Sequence, residues 1–153
     1  RALTRPVISS ILARFLSIAV ILLLLTLALV PQHFMTFPME RPFTWLAVML
    51  LYPVLSVLPQ ELLYRSFFFR YYESWLKTPG VMYAVNALAF GWVHIVMHSW
   101  VAIVLSAIGG VFFAETYRKT NSLAAVCFEH ALYGCFLFTI GLGYFFYHGN
   151  MVK

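Results

Sequence analysis

Charged side chains are scarce in this chain, and aspartate is absent. Charged residues make up 10% of the 153 residues, whereas hydrophobic residues make up 63%. A soluble globular domain is roughly a quarter charged and about half apolar. The composition therefore excludes an ordinary soluble domain and indicates a chain embedded in a lipid bilayer.

Cysteine is also rare, and no zinc-protease signature is present. Cys127 and Cys135 lie within one apolar segment, a placement that favours two small buried side chains over a disulfide framework.

The HExxH pattern is absent, which weakens a zinc interpretation without excluding a site built from other histidines and glutamates. The net charge of +5 is attributed to Lys and Arg at the membrane surface, and not to a nucleic-acid site.

Long apolar stretches recur along the chain and predict its architecture. We expect an all-α, polytopic transmembrane helical bundle of about five spans. A first unit, residues 1–42, holds the N-terminal span and a loop, and residues 43–153 form the core. The predicted spans cover residues 7–30, 43–77, 81–97, 101–117 and 123–147.

Several features within these spans carry local predictions. A straight helix over 43–77 would be about 50 Å long, longer than the bilayer core, so we expect kinks at Pro53 and Pro59 and an interfacial C-terminal part. Arg14, inside the first span, is expected to snorkel toward the headgroups. The pair Gly109 and Gly110 predicts close helix packing.

The basic residues of the loops predict an orientation. Six of them would lie on one side of a five-span bundle, whereas the opposite loops carry only Arg41, balanced by Glu40. The basic side is cytoplasmic by the positive-inside tendency. The N-terminus is therefore predicted to be cytoplasmic. The residues concerned are Arg1, Arg5, Arg70, Lys77, Arg118 and Lys119.

Ionisable residues within the second span form the first candidate site. A charge inside the membrane is costly, so such residues usually face the interior of a bundle. Glu61 and Arg65 are one helical turn apart with the glutamate first, and we expect them to pair. Gln60 is rotated by about 100° from Glu61, so it can face a cavity while Glu61 is held by Arg65.

Later spans supply further polar groups. Phe90, His94 and His98 share one helix face in the third span, and Glu129 and His130 are adjacent in the fifth. Adjacent residues diverge on a helix, so at most one of the latter two is expected to point at a shared site. Each histidine alone could be a satisfied core residue. The three histidines could also ligate haem or a metal in a small carrier bundle.

Two more polar residues have structural interpretations. Asn86 is expected to form a hydrogen bond between helices. Glu115 and Lys119 are expected to form an ordinary i,i+4 surface pair.

Together, the glutamates and histidines are suited to hydrolysis. In a dry cavity a glutamate can act as base toward water, a histidine can pass a proton, and a second histidine can donate to an oxyanion. The same side chains could instead bind a divalent metal such as zinc.

The order of three short motifs resembles one membrane-protein family. Gln60 to Arg65 (QELLYR), Phe90 to His94 (FGWVH) and His130 to Gly134 (HALYG) are similar to the E-E-x-x-x-R, F-x-x-x-H and H-x-x-x-N motifs of the CPBP family. This family comprises the CAAX prenyl proteases of the Ras-converting type and their bacterial relatives, also called Abi proteins. The resemblance implies an intramembrane endopeptidase acting on a membrane-anchored or lipidated peptide, in a multi-pass protein of the bacterial inner membrane.

The resemblance also implies roles for individual residues. His94 would orient water, His130 would donate to the oxyanion, Glu61 would pair with Arg65, and Phe90 would pack beside them.

Two positions depart from the family pattern. Gln60 stands where the family has its glutamate base, and Gly134 stands where it has an amide side chain. Glutamine cannot take up a proton at neutral pH. We therefore expect a site rebuilt around Glu61, His94, Glu129 and His130, with Glu61 or Glu129 as base. The alternative is a catalytically inactive member that binds peptides or serves as a scaffold.

Overall fold

The computed structural model describes residues 3–147 as a bundle of helices. Five helices in this part are long and apolar enough to cross a membrane. This confirms the predicted all-α bundle of five spans, although its orientation stays a prediction. The five are α1 (Arg5–Leu29), α2 (Pro42–Tyr72), α3 (Pro79–Met97), α4 (Trp100–Thr120) and α5 (Leu123–Ile140).

The outer surface of the bundle is apolar. Leu16, Leu24 and Trp92 are each more than 60% exposed, at 64%, 62% and 68%. Contiguous exposed apolar surface of this extent is rare in soluble monomers. The protein is an integral, multi-pass membrane protein.

Helix α2 is wound irregularly. It contains two π-helical stretches, Pro53–Val57 and Leu62–Phe67, separated by one α-helical turn. The first stretch begins at Pro53, one of the two positions where a kink is predicted. The proline ring disrupts the regular hydrogen-bond ladder of the helix. The second has no proline and contains Arg65. The helix ends at Tyr72, short of the predicted residue 77, and π-helical stretches of this kind are frequent at functional sites.

Helices α3 and α4 approach closely at two glycines. A Cβ atom on Gly91 would lie 2.7 Å from Cβ of Ala107, and one on Gly110 would lie 3.1 Å from Cα of Ala87. The predicted close packing at Gly110 is therefore confirmed, while Gly109 faces Phe113 of its own helix.

Helix α5 ends earlier than predicted. It stops at Ile140, and Gly141 has a φ of 111°, a left-handed conformation that glycine adopts without strain. A side chain at this position would also collide with the backbone of His33. The predicted span of 123–147 is therefore wrong at its C-terminal end, where Leu142–Phe146 forms a separate 3₁₀ turn.

The prediction that Arg14 snorkels to the headgroups is wrong. Its guanidinium points into the bundle and contacts Glu115 at 2.7 Å and Glu129 at 2.5 Å. It also donates to the hydroxyl of Thr116 at 2.6 Å. The buried carboxylate of Glu129 and the partly exposed carboxylate of Glu115 compensate the charge better than a route to the headgroups does. These contacts fasten α1 to α4 and α5.

The carboxylate of Glu115 has a second partner. Lys119 contacts it at 2.6 Å, which confirms the predicted i,i+4 pair.

Replacement of Arg14 by methionine is expected to destabilise the bundle by about 3–5 kcal/mol. The fully buried Glu129 would lose its counter-charge, and an uncompensated buried charge costs about this much. Thermal unfolding in detergent micelles measures the effect. Arg5→Met, at the exposed start of the same helix, is the matched control. Equal losses in both variants would contradict the ion cluster.

Candidate active site

A cavity of about 190 Å³ lies within the bundle. Most of its wall is apolar, and polar side chains from α2, α3, α4 and α5 project onto it. This combination is typical of ligand and active sites. The polar lining residues are Tyr52, Ser56, Gln60, His94, Ser106, His130 and Tyr133.

Glu61 lies behind this wall and links α2 to α5. Its Oε1 atom is 2.7 Å from Nδ1 of His130, and its Oε2 atom is 3.1 Å from Nε of Arg65. The side chain is fully buried and is not among those that line the cavity. One carboxylate oxygen is therefore hydrogen-bonded to His130, and the other faces the charge of Arg65 without a hydrogen bond.

Arg65 is the counter-charge of Glu61, as predicted. The 3.1 Å contact joins opposite charges, but its N–H does not point along a hydrogen bond. Nη1 of Arg65 donates to Oδ1 of Asn86 at 2.8 Å, and the guanidinium lies 4.9 Å from the ring centre of Phe90. Asn86 in turn donates to the backbone oxygen of Tyr64 at 2.7 Å. The predicted interhelical hydrogen bond of Asn86 is confirmed.

The contact with Glu61 sets the tautomer of His130. A carboxylate only accepts hydrogen bonds, so Nδ1 of His130 carries the proton that Glu61 accepts. In the neutral ring, Nε2 then has a lone pair, and the hydroxyl of Tyr52 donates to it at 3.1 Å. The imidazole stacks on Phe113 with 4.6 Å between ring centres. Nε2 is thus the acceptor atom of a firmly oriented ring.

His94 presents a similar atom to the cavity. Its Nδ1 donates to the backbone oxygen of Phe90 at 2.8 Å, which leaves Nε2 as acceptor in the neutral ring. The ring of Phe90 lies between the two histidines, 5.1 Å from His94 and 5.6 Å from His130. Two imidazoles with acceptor nitrogens therefore line one small cavity.

Gln60 also lines the cavity, and one of its polar atoms has no protein partner. Its Nε2 donates to the hydroxyl of Ser56 at 2.8 Å. Its buried Oε1 accepts no hydrogen bond from residues 3–147. Buried acceptors are rarely left unmet, so this oxygen is suited to a water molecule or a substrate N–H group.

Comparison with known proteins gives the family. A model described as Type II CAAX prenyl endopeptidase Rce1-like matches residues 42–136, well over half of the chain. The chain belongs to this family. No curated protein and no solved structure matches it. The matched region contains Gln60, Glu61, Arg65, His94 and His130, whereas α1 lies outside it.

Family membership confirms the resemblance seen in the motifs. It supports a protease of the CAAX type in a membrane. The boundary drawn between residues 1–42 and 43–153 stays a prediction, and the ion cluster of Arg14 fastens the first unit to the second.

Glu129 and His130 point to different places. His130 lines the cavity, whereas Glu129 is absent from its wall and binds Arg14. This agrees with the expectation that only one of two adjacent helical residues faces a shared site. Likewise His98, at the end of α3, is not among the lining residues. Of the predicted site residues, the cavity wall brings together Gln60, Phe90, His94 and His130, with Glu61 and Arg65 behind them.

Sequence reasoning missed Tyr52. It is a tyrosine in an apolar span directly before a helix-distorting proline, and neither feature by itself indicates a site. Gly134 is the signal that could have led to Tyr52. The family pattern has a larger side chain at this position, and in a close-packed interior another side chain must fill the volume that glycine leaves.

The described residues do not fit a metal centre. Within residues 3–147 no group of three or more His, Cys, Asp or Glu side chains is placed to hold a metal ion. Both ring nitrogens of His130 already have protein partners, Glu61 and Tyr52. A zinc site or a haem site built on His94, His98 and His130 therefore lacks a converging ligand set, and no step below involves a metal.

Proposed function

We propose that this protein is an intramembrane endopeptidase that hydrolyses a peptide bond of a membrane-anchored or lipidated substrate. The observation that carries the proposal is the chain of contacts Arg65–Glu61–His130, which ends in an acceptor nitrogen at the cavity wall. A buried carboxylate that orients a histidine is a recurrent means of activating a nucleophile. Membership of the Rce1-like family supports the reaction class.

The geometry favours His130 as the base that activates water. Glu61 is fully buried behind the wall, with Oε1 bonded to His130 and Oε2 beside the charge of Arg65. Glu129 is bound to Arg14 outside the cavity, and Gln60 cannot take up a proton. Nε2 of His130 carries the lone pair that a general base needs, and water reaches it once the hydroxyl of Tyr52, its partner in the resting site, turns to the substrate. We thus propose a different assignment from the one that the resemblance implies for this residue.

The side chains of the cavity fit a specific order of proton transfers and bond changes. Water donates one hydrogen bond to His130, and His94 or the unpartnered oxygen of Gln60 accepts the other. His130 takes a proton from water as the water oxygen bonds to the substrate carbonyl carbon. The C–N bond then breaks, and Nε2 of His130 returns the proton to the leaving amine. The carboxylate of Glu61 stabilises the imidazolium between these steps, and Arg65 holds that carboxylate in place.

The apolar exterior supports a substrate that reaches the cavity from the bilayer. We propose the lipid bilayer and a membrane-anchored peptide or protein as partners, with no nucleic acid. Under the same proposal the protein resides in a bacterial inner membrane with its N-terminus in the cytoplasm.

The replacements His130→Ala and His94→Gln are expected to lower kcat by at least about 100-fold, because general acid–base groups contribute this much. Cleavage of a fluorogenic lipidated peptide by protein in proteoliposomes measures it. His98→Gln, outside the cavity lining, is the matched control and is expected to cleave normally. A chelator is expected to leave the rate unchanged. Wild-type rates in both cavity variants would overturn the proposal.

An inactive, peptide-binding protein is the second candidate, and the substitution at Gln60 favours it. In that case the wild type would bind the peptide without turnover. Gln60→Glu supplies the discriminating variant. If it raises cleavage by about 100-fold or more, the range expected of a general base, the base belongs at position 60 and not at His130.

A further inference from the structure

The side chain of Tyr52 occupies the space that a residue larger than glycine would need at position 134. A Cβ atom built on Gly134 would overlap the hydroxyl oxygen and the ring carbons of Tyr52. Gly134 follows His130 by one helical turn, so the phenol of α2 lies against the helix that carries His130. Tyr52 and any side chain at 134 therefore exclude each other.

Two neighbouring rings hold the ring of Tyr52 in place. Its centre lies 5.5 Å from that of Phe138 and 6.0 Å from that of His130, both in edge-on geometry. The hydroxyl is 3.1 Å from Nε2 of His130, and the residue lines the cavity. A donor O–H is therefore held beside the atom that the proposed mechanism uses as its base.

We infer that the hydroxyl of Tyr52 is the oxyanion donor of this protein, in place of the amide side chain that is missing at Gly134. The inference rests on the proposed hydrolysis. It assigns Tyr52 as a catalytic residue, because the hydroxyl would touch the reacting carbonyl oxygen. Preorganised donors aimed at a developing charge are among the largest contributions to acyl-transfer catalysis.

The hydroxyl of Tyr52 can serve Nε2 of His130 and the substrate carbonyl oxygen in turn, because the reaction changes which of the two atoms can accept its hydrogen bond. In the resting site the O–H of Tyr52 donates to the lone pair of Nε2. When the substrate carbonyl oxygen enters, the O–H turns to that oxygen and leaves the lone pair to water. When Nε2 takes the proton from water, that lone pair is gone, and Nε2–H can only donate. The O–H of Tyr52 therefore stays on the carbonyl oxygen and donates to it as it becomes an anion. When the C–N bond breaks, Nε2 gives its proton to the amine and accepts from Tyr52 again.

The first test removes only the hydroxyl. Tyr52→Phe is expected to lower kcat by about 100- to 1000-fold, the usual effect of losing one oxyanion donor, with little change in KM. The unfolding temperature is expected to shift by no more than about 4–8 °C. A wild-type kcat in Tyr52→Phe would overturn the inference.

The second test moves the donor to the other helix. Tyr52→Ala removes the phenol and leaves room at position 134. The double variant Tyr52→Ala/Gly134→Asn is expected to cleave at least about 10-fold faster than Tyr52→Ala/Gly134→Leu, since asparagine and leucine have similar shapes but only the amide donates. Equal rates in these two variants would contradict the inference.

A spectroscopic measurement tests the hydrogen bond on which the inference depends. In protein labelled with ¹⁵N-histidine, the Nε2 resonance of His130 is expected to move downfield in Tyr52→Phe, because its lone pair loses a hydrogen-bond donor. An unmoved resonance would overturn the inference. If wild type cleaves, His130→Ala does not and Tyr52→Phe does, the inference alone fails. If the wild type does not cleave at all, the proposed function fails with it.

Discussion

Replacing Glu61 with glutamine is expected to lower kcat by about 10³- to 10⁴-fold. The carboxylate accepts the Nδ1 proton of His130 at 2.7 Å and so keeps the lone pair on Nε2. The amide of glutamine can donate to Nδ1 instead, which would place the ring proton on Nε2 and turn the proposed base into a donor. A carboxylate-to-amide change that selects the wrong tautomer of a catalytic histidine costs about 10⁴ in kcat.

The same replacement is expected to destabilise the fold by about 3–5 kcal/mol, because Arg65 would be left buried beside a neutral partner. The two effects are separated by measuring kcat per folded molecule and thermal unfolding on the same sample. Glu73→Gln is the matched control. That carboxylate is 72% exposed and lies 3.8 Å from Arg118, so its loss is expected to change stability by less than about 1 kcal/mol. If Glu61→Gln keeps at least a tenth of wild-type kcat, the assignment of His130 as base is wrong.

Replacing Arg65 with methionine is expected to destabilise the fold strongly. Its side chain is fully buried, pairs with Glu61, donates to Asn86 and lies over Phe90. Removing it leaves Glu61 as a buried charge and is expected to cost about 3–5 kcal/mol. Arg65→Lys keeps the charge but loses the planar contacts with Asn86 and Phe90, so an intermediate loss is expected. Unfolding in detergent micelles measures the series, with the exposed Arg70→Met as control.

A double replacement tests the pairing itself. Glu61→Gln/Arg65→Met removes both charges, so neither is left uncompensated in the interior. Its loss of stability is expected to be smaller than the sum of the two single losses, since contacting residues are not additive. Strictly additive losses would show that the two side chains do not depend on each other.

Much of this site could be predicted from sequence where its contacts are local. Glu61 and Arg65 are one helical turn apart, so their pairing needs only the geometry of one helix. The divergence of Glu129 from His130 follows from the same geometry. The five spans depend on the length and hydropathy of single segments, and the family motifs are short runs within them.

Other contacts join residues that are remote in the chain, and no local pattern encodes them. Arg14 and Glu129 are 115 residues apart, and Tyr52 and His130 are 78 apart. The expectation that Arg14 snorkels was reasonable for an isolated helix, because water was then its nearest polar partner. In the bundle, two carboxylates are nearer.

Composition and spacing within one helix were enough to predict the membrane class, the number of spans, the family and the ion pair of α2. The contact of Glu61 with His130, the contact of Glu129 with Arg14 and the position of Tyr52 against Gly134 emerge only from the packed bundle. These contacts depend on donors, acceptors and volumes that are matched across helix interfaces. The role of a glycine or a carboxylate in such a bundle depends on the side chain that packs opposite it.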